Sequence, residues 1–222
     1  MGDLVDSELH ANPENLHAQF NAAIDRQNEA LGADMVSPLT ITLGDEFQGL
    51  LSSLVAAAQA AREIRFDLMR KNIDCRFVIG SINLKTQVNH ERAWNMMGPG
   101  FSEARERLGE KRSPSRYRFS IQQDTLLETM LEASGASLSA IERGWSKVQR
   151  DDIIKLLEGA SVSEVAHARN VSVHNVYKVR SAGDFELYML QWDAIQTALT
   201  QLDHRYQLPG ADKWCTHSFT PA

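Results

Sequence analysis

Cysteine is almost missing from this 222-residue chain: Cys75 and Cys215 stand far apart and in no C-x-x-C spacing, which excludes a disulfide framework and a thiolate zinc site. Long apolar runs are absent too. No stretch approaches the roughly 18 to 20 residues needed to span a bilayer, and the first residues lack a basic region followed by an apolar one, so neither a membrane span nor secretion is expected. Positive charge is in deficit, with 23 Lys and Arg against 29 Asp and Glu for a net charge of -6. Bulk attraction to nucleic acid or to an anionic membrane is thereby excluded, and any DNA contact has to be local. The seven histidines form no i, i+4 metal pair, and the chain has no internal repeat and no low-complexity segment. What remains is a cytoplasmic protein, 43% hydrophobic, large enough for one sizeable core and a small second unit.

Within those bounds the chain alternates strand and helix patterns. Residues 1–7 read as the end of a strand entering a loop, and a strand of this kind ordinarily begins several residues earlier. Leu16, Phe20, Ala23, Ile24 and Leu31 recur near a 3.6-residue period, and Asn12 with Pro13 supplies a cap and a first turn, which predicts an amphipathic helix ended by Gly32. Pro38 is expected to open a strand, and Ser52 or Ser53 to cap an Ala-rich helix running to about Lys71. A further strand is expected over 74–83, a helix from Pro99-Gly100 through Leu108, a basic loop over 111–116 and a strand over 117–121. This order predicts a mixed sheet with helices on one face, an α+β domain over residues 1–135. From about Thr125 to about Tyr206 the pattern is wholly helical, which places an all-helical domain at 140–207 and leaves the aperiodic segment 208–222, with Trp214 and Cys215, as a flexible tail. Trp94, Trp145 and Trp192 read as core or interface residues rather than stacking platforms.

The most telling stretch is Thr40-Ile-Thr-Leu-Gly44-Asp45-Glu46-Phe47-Gln-Gly49-Leu-Leu51, two apolar strands around a Gly-Asp-Glu turn. Carboxylates beside a core are costly unless a cation accompanies them, so Asp45, with Asp3 and with Glu46 as helper, reads as a metal site. The plainer alternative is a tight hairpin turn that Gly44-Asp45 merely satisfies. The hairpin resembles that of palm-type nucleotidyl cyclases, both class III cyclases and GGDEF diguanylate cyclases, where such carboxylates share divalent cations holding a triphosphate. That resemblance implies Mg²⁺ or Mn²⁺ at Asp3, Asp45 and Glu46, and a nucleotide near Gly44 and Arg105. Taken together, Gly2-Asp3-Leu-Val-Asp6-Ser7, the hairpin, Arg76-Phe-Val-Ile-Gly80 and Met97-Gly98-Pro99-Gly100-Phe101-Ser-Glu-Ala104-Arg105 closely resemble the SatD family. It comprises bacterial cytoplasmic proteins with a cyclase-like N-terminal region and often a C-terminal helix-turn-helix. The implied fold is a ferredoxin-like, nucleotidyl cyclase-like palm domain followed by an all-helical helix-turn-helix domain.

Departures from the cyclases bear on activity. No base-reading Lys precedes Gly44, where the residues are Thr40-Ile-Thr-Leu43, and Leu43 replaces the first Gly of GGDEF. Aligned on Gly98-Pro99, the positions of the cyclase Asn and Arg hold Ser102 and Glu106. Arg105 is one residue away, which on a helix is a rotation of about 100°. Metal and phosphate binding survive these changes better than cyclisation, which needs that clamp on transition-state charge.

A second signal lies in Ser161-Val-Ser-Glu164-Val165-Ala166-His-Ala-Arg169-Asn170-Val171-Ser172-Val-His174-Asn175-Val176-Tyr177-Lys178. Ala166 is small enough for two helices to cross, Asn170 tolerates a left-handed turn, and Ser172 is an N-cap. The second helix would present His174, Asn175, Tyr177, Lys178 and Arg180 to a major groove. No acid lies between Val165 and Ala182, whereas Arg169, Lys178 and Arg180 do, so the local charge is positive. The competing explanation is a three-helix packing unit that holds a dimer. Two functions follow: a dimeric DNA-binding regulator with a degenerate nucleotide-binding or dimerisation domain, or a divalent-metal-dependent nucleotidyl cyclase or related phosphotransferase.

Overall fold

A computed structural model describes residues 1–121 and 124–213. Strands β1 (Gly2–Leu4), β2 (Met35–Leu43), β3 (Glu46–Leu51), β4 (Cys75–Gly80) and β5 (Tyr117–Ser120) form one mixed sheet in the order β2-β3-β1-β4-β5. β1 is antiparallel to β3 and β4, β2 is antiparallel to β3, and β4 runs parallel to β5. Helices α1 (Pro13–Ala30), α2 (Leu54–Arg70) and α3 (Phe101–Gly109) connect strands, and α4 (Thr125–Gly144), α5 (Lys147–Leu157), α6 (Val162–Arg169), α7 (Val173–Ala182) and α8 (Phe185–Arg205) follow. The fold is α+β.

Local chemistry explains the boundaries. Asn12 accepts the Asn15 N–H at 2.9 Å ahead of Pro13, and Ser53 rather than Ser52 caps α2 through the Ala56 N–H at 3.0 Å. β2 begins at Met35, so Pro38 lies inside the strand instead of opening it. It sits where the register shifts between Ser37 and Thr40, on an edge strand where a residue without an N–H is tolerated. β4 stops at Gly80 rather than at 83, because the next segment turns back: the Asn83 N–H donates to Pro99 O at 3.1 Å and that of Lys85 to Met97 O at 2.8 Å.

The sheet's pleat divides its residues between two faces. Gly2 lies between Phe47 and Phe77, and a Cβ there would come within 2.4 Å of the Phe47 ring, so the central strand needs glycine where two aromatic rings meet. Phe47, Phe77 and Tyr117 join Phe20 of α1 and Phe66 of α2 in the main core. Val78 points the other way and packs with Ala104 and Leu108 of α3 and with Met1. Helices therefore cover both faces, not the one expected, and β4 is buried from Cys75 to Ile79, as a strand covered on both sides must be. Carboxylates of α4 close the β5 edge: Glu132 accepts the Phe119 N–H at 2.5 Å and Glu128 the Ile121 N–H at 2.7 Å.

The helical region shares the main core with the sheet. Leu131 and Leu138 of α4, Ile154 of α5, and Tyr188, Trp192, Ile195, Leu199 and Leu202 of α8 belong to the same buried cluster as Phe77 and Tyr117, and the boundary expected at 135–140 falls inside α4. At the junction, Glu142 of α4 is ion-paired with Arg65 of α2 and accepts the hydroxyls of Tyr117 at 2.8 Å and Tyr188 at 3.2 Å. Asp203 of α8 accepts the Leu54 and Val55 N–H groups at 2.7 and 3.2 Å, capping α2 from a distant part of the chain. Beyond α8, the Gly210 N–H donates to Ser52 O at 2.9 Å and Lys213 reaches Asp34 at 3.2 Å, so 208–213 is anchored. The rest of the expected tail, with Trp214 and Cys215, lies outside the described residues.

Candidate functional site

Three strands place a row of charges on the α3 face of the sheet. Asp3 on β1 is the cross-strand partner of Glu46 on β3 and of Arg76 on β4. Arg76 donates from Nε at 3.1 Å and from Nη2 at 2.6 Å, both to Oδ2 of Asp3. Asp3 and Arg76 are both buried. Burial pushes the Asp3 carboxyl above its ordinary range against the opposing pull of Arg76, while the charge on Asp45 pushes it further up and that of Lys111 pulls it down.

Asp45 occupies the β2–β3 turn, where Gly44 takes a left-handed φ of 53° that an L side chain would resist. Its carbonyl accepts the Leu4 N–H at 3.0 Å, tying the turn to β1, and Ser7 Oγ donates to its Oδ2 at 2.6 Å. Both Arg76 bonds fall on one oxygen of Asp3, and the Ser7 bond falls on one oxygen of Asp45. The other oxygen of each carboxylate is thus left unengaged by these partners. Glu46 forms no ion pair among the described residues, and none of their His, Cys, Asp and Glu side chains gather in threes able to hold a metal. Gly44, Asp45, Glu46 and Asp3 are brought to one end of the sheet. Arg105 is exposed on α3 and forms no ion pair with them among the described residues.

Sequence reasoning missed three participants here. Ser7 stands in the quoted Gly2–Ser7 motif and Arg76 in the quoted β4 motif, but neither had been given a role. Lys111 belongs to the basic loop, is exposed, and acts on Asp3 only through its charge.

The second candidate is the pair α6 and α7. Asn170 ends α6 with φ 53° and ψ 48°, left-handed as expected, and Ser172 caps α7 by accepting the Asn175 N–H at 3.2 Å. Val165, Ala166 and Val176 are buried together, with Val171 and Leu156 of α5 packed against them. His174, Asn175, Tyr177 and Lys178 are exposed on the opposite side.

The two expected arginines differ. Arg169 is ion-paired with buried Asp152 of α5 and lies 3.4 Å from Asn175 Oδ1. Arg180 donates to Glu186 at 2.8 Å and stacks over Phe185 at 4.6 Å. Acids from outside the 165–182 segment therefore offset two of its three cations, and among the described residues Lys178 alone of the three carries no ion pair. A count confined to the segment could not register this. The three tryptophans also divide, with Trp192 5% exposed in the core and Trp94 47% exposed on the 81–100 loop.

No curated protein and no solved structure matches the chain. A model of the SatD family matches residues 1–183, which takes in the charged row of the sheet and the whole of α6 and α7, and the chain belongs to the SatD family.

Proposed function

We propose that this protein is a cytoplasmic DNA-binding regulator in which α6 and α7 act as a helix-turn-helix and the sheet is a cyclase-derived palm that binds nucleotide or pairs two copies. The observation that carries the reading is the face of α7, where His174, Asn175, Tyr177 and Lys178 are exposed on a helix anchored from behind by Val176. Side chains of these types hydrogen-bond base edges and phosphates when a helix lies in the major groove. The strand order β2-β3-β1-β4 with antiparallel neighbours supports the ferredoxin-like reading, with β5 added at the edge. A homodimer would present two α7 helices to half-sites about 34 Å apart.

The test is fluorescence anisotropy with duplex DNA across a salt series. Lys178→Ala is expected to weaken binding and to reduce the slope of log affinity against log salt by about 0.9, one phosphate contact. Arg180→Ala, whose charge Glu186 already engages, is expected to change the slope less. Affinity unchanged by Lys178→Ala and by Tyr177→Ala removes the reading.

A second reading draws on the unengaged carboxylate oxygens of Asp3 and Asp45 and on nearby Lys111. Mg²⁺ is commonly held by one or two carboxylates together with substrate phosphates, a donor set that Asp3 and Asp45, with Glu46 beside them, would supply. The metal would contribute charge stabilisation on a phosphoryl oxygen, making the protein a nucleotidyl cyclase or related phosphotransferase. Ser7 would orient Asp45, and Arg76 would limit the net charge. Thermal melting with each nucleoside triphosphate plus Mg²⁺ or Mn²⁺ tests it. Ligand at about 100 times its Kd adds roughly 2.7 kcal/mol, and Asp45→Asn should abolish that gain. No shift with any triphosphate counts against both nucleotide readings.

A further inference from the structure

An excess of positive charge lies at the joint between the sheet and the helical region. A cavity of about 270 Å³ opens there between the turn from α2 to β4, the segment that enters β5, the end of α4, and α5. Four arginines line it, Arg65, Arg116, Arg143 and Arg150, against two acids, Asp74 and Glu142. The lining therefore holds two positive charges in excess, in a chain whose net charge is -6.

Both acids are committed to the other two arginines. Glu142 is ion-paired with Arg65. Asp74 takes Nη1 of Arg65 on Oδ1 at 2.8 Å, and Nε and Nη2 of Arg116 on Oδ2 at 2.9 and 2.8 Å. Arg143, in the last turn of α4, is exposed, and its side chain forms no hydrogen bond or ion pair among the described residues. Arg150 donates from Nη2 to Asn72 Oδ1 at 3.0 Å. Asp151 stands 3.9 Å from its Nε and is 41% exposed, a separation and exposure at which an ion pair contributes little. The Nε–H of Arg150 is shut off from solvent and has no acceptor, which is costly unless something accepts it. An apolar wall accompanies these charges, made by Met69, Ile73, Pro114 and Trp145. The Trp145 Nε1–H is already given to Gly183 O at 2.8 Å, so its ring offers the cavity carbon rather than a donor.

We propose that this cavity binds a small phosphate monoester, with the phosphate on Arg143 and Arg150 and the organic body against Ile73, Pro114 and Trp145. Charge selects the phosphate. Near neutral pH such a group carries close to two negative charges, which matches the excess of the lining, whereas a carboxylate would leave one charge uncompensated. Guanidinium groups also present paired N–H donors whose geometry fits phosphate oxygens. Volume limits the body, because the cavity falls just below the roughly 300 Å³ at which small-molecule pockets begin. None of the lining residues belongs to the carboxylate row at Asp3 or to the exposed face of α7, so the site stands whether or not either functional reading does.

The test is isothermal titration of the full chain with phenyl phosphate at about pH 7.5, where the ester is a dianion, with EDTA present so that no metal contributes. Saturable binding is expected, at least about tenfold weaker in Arg143→Gln and in Arg150→Gln and unchanged in Asp45→Asn and Lys178→Ala. Because the Arg143 side chain has no partner in the fold, Arg143→Gln is expected to keep the Tm of the wild type, and Arg143→Lys to recover part of the affinity. Phenylacetate, a monoanion of similar size, is expected to bind at least about tenfold more weakly than phenyl phosphate. No saturable heat up to about 10 mM phenyl phosphate, or an affinity unchanged by both Arg143→Gln and Arg150→Gln, overturns the site. Equal affinity for phenylacetate overturns the phosphate assignment. Loss of binding in Asp45→Asn or in Lys178→Ala places the anion elsewhere and overturns the site as well.

Discussion

Glu142→Gln removes one charge from the centre of the molecule and, with it, the oxygen that accepts the Arg65 Nε–H. The carboxylate side chain is fully buried, and its partner Arg65 is 5% exposed. The amide keeps an oxygen to accept the Tyr117 and Tyr188 hydroxyls, but its NH2 then faces the Arg65 Nε–H, so the substitution removes the acceptor of that donor together with the charge. Leaving one member of a buried pair uncompensated typically costs about 3–5 kcal/mol. Arg65 retains Asp74 at 2.8 Å and the Cys75 carbonyl at 2.7 Å, which places the expected loss at the lower end, about 3 kcal/mol. For a chain of this size that lowers Tm by about 6–12 °C. Urea denaturation of the wild type, Arg65→Met, Glu142→Gln and the double variant, followed by tryptophan fluorescence and far-ultraviolet circular dichroism, gives the coupling energy. A coupling of about 2–3 kcal/mol is expected, with both probes reporting one transition because α4 and α8 share the core of the sheet. A coupling below about 0.5 kcal/mol, or separate transitions for the two probes, would refute the reasoning.

Asp203→Ala should destabilise the protein by about 2–3 kcal/mol in the same assay, because it strands the buried Leu54 and Val55 N–H groups at the start of α2. Asn170→Ala should cost about 1 kcal/mol and Asn170→Gly close to nothing, since only the backbone at φ 53° distinguishes them. Asp74 supplies a pH dependence: burial opposes its charge, but Arg65 and Arg116 outweigh that and hold its pKa below the ordinary value. Its folded pKa being lower than its unfolded one, its stabilisation is present above about pH 4 and is lost as the pH falls through the folded value. Asp74→Asn should therefore flatten the fall in urea midpoint below about pH 4, and an unchanged acid limb would contradict the assignment.

Most strands and helices could be read from local chemistry. The Asn12-Pro13 start, the serine cap before the Ala-rich helix, the Gly44-Asp45 turn and the left-handed Asn170 all depend on residues within a few positions of one another. The sites were legible as candidates for the same reason, since Asp45, Glu46 and the α7 face each lie on one short segment. Their environments were not. Arg76 meets Asp3 across 73 positions and Arg169 meets Asp152 across 17, and no local pattern encodes either pairing. The positive charge of residues 165–182 was legible, whereas the pairing of Arg169 with Asp152 and of Arg180 with Glu186 was not, because both acids lie outside that segment.

The amino-acid sequence by itself determined the class of the protein: an α+β chain with a carboxylate hairpin, a capped helix pair near its C-terminal end and too little positive charge to bind nucleic acid in bulk. Periodicity, caps and turns act over one or two helical turns, and their energies are set before the chain is compact. Only the tertiary structure decided that α3 covers the second face of the sheet and that Glu142 and Asp203 bind the helical region into the core of the sheet. These outcomes rest on burial and on charges meeting over long sequence separations, where many pairings are compatible with the same local pattern. Packing selects among them by satisfying the most buried groups at once.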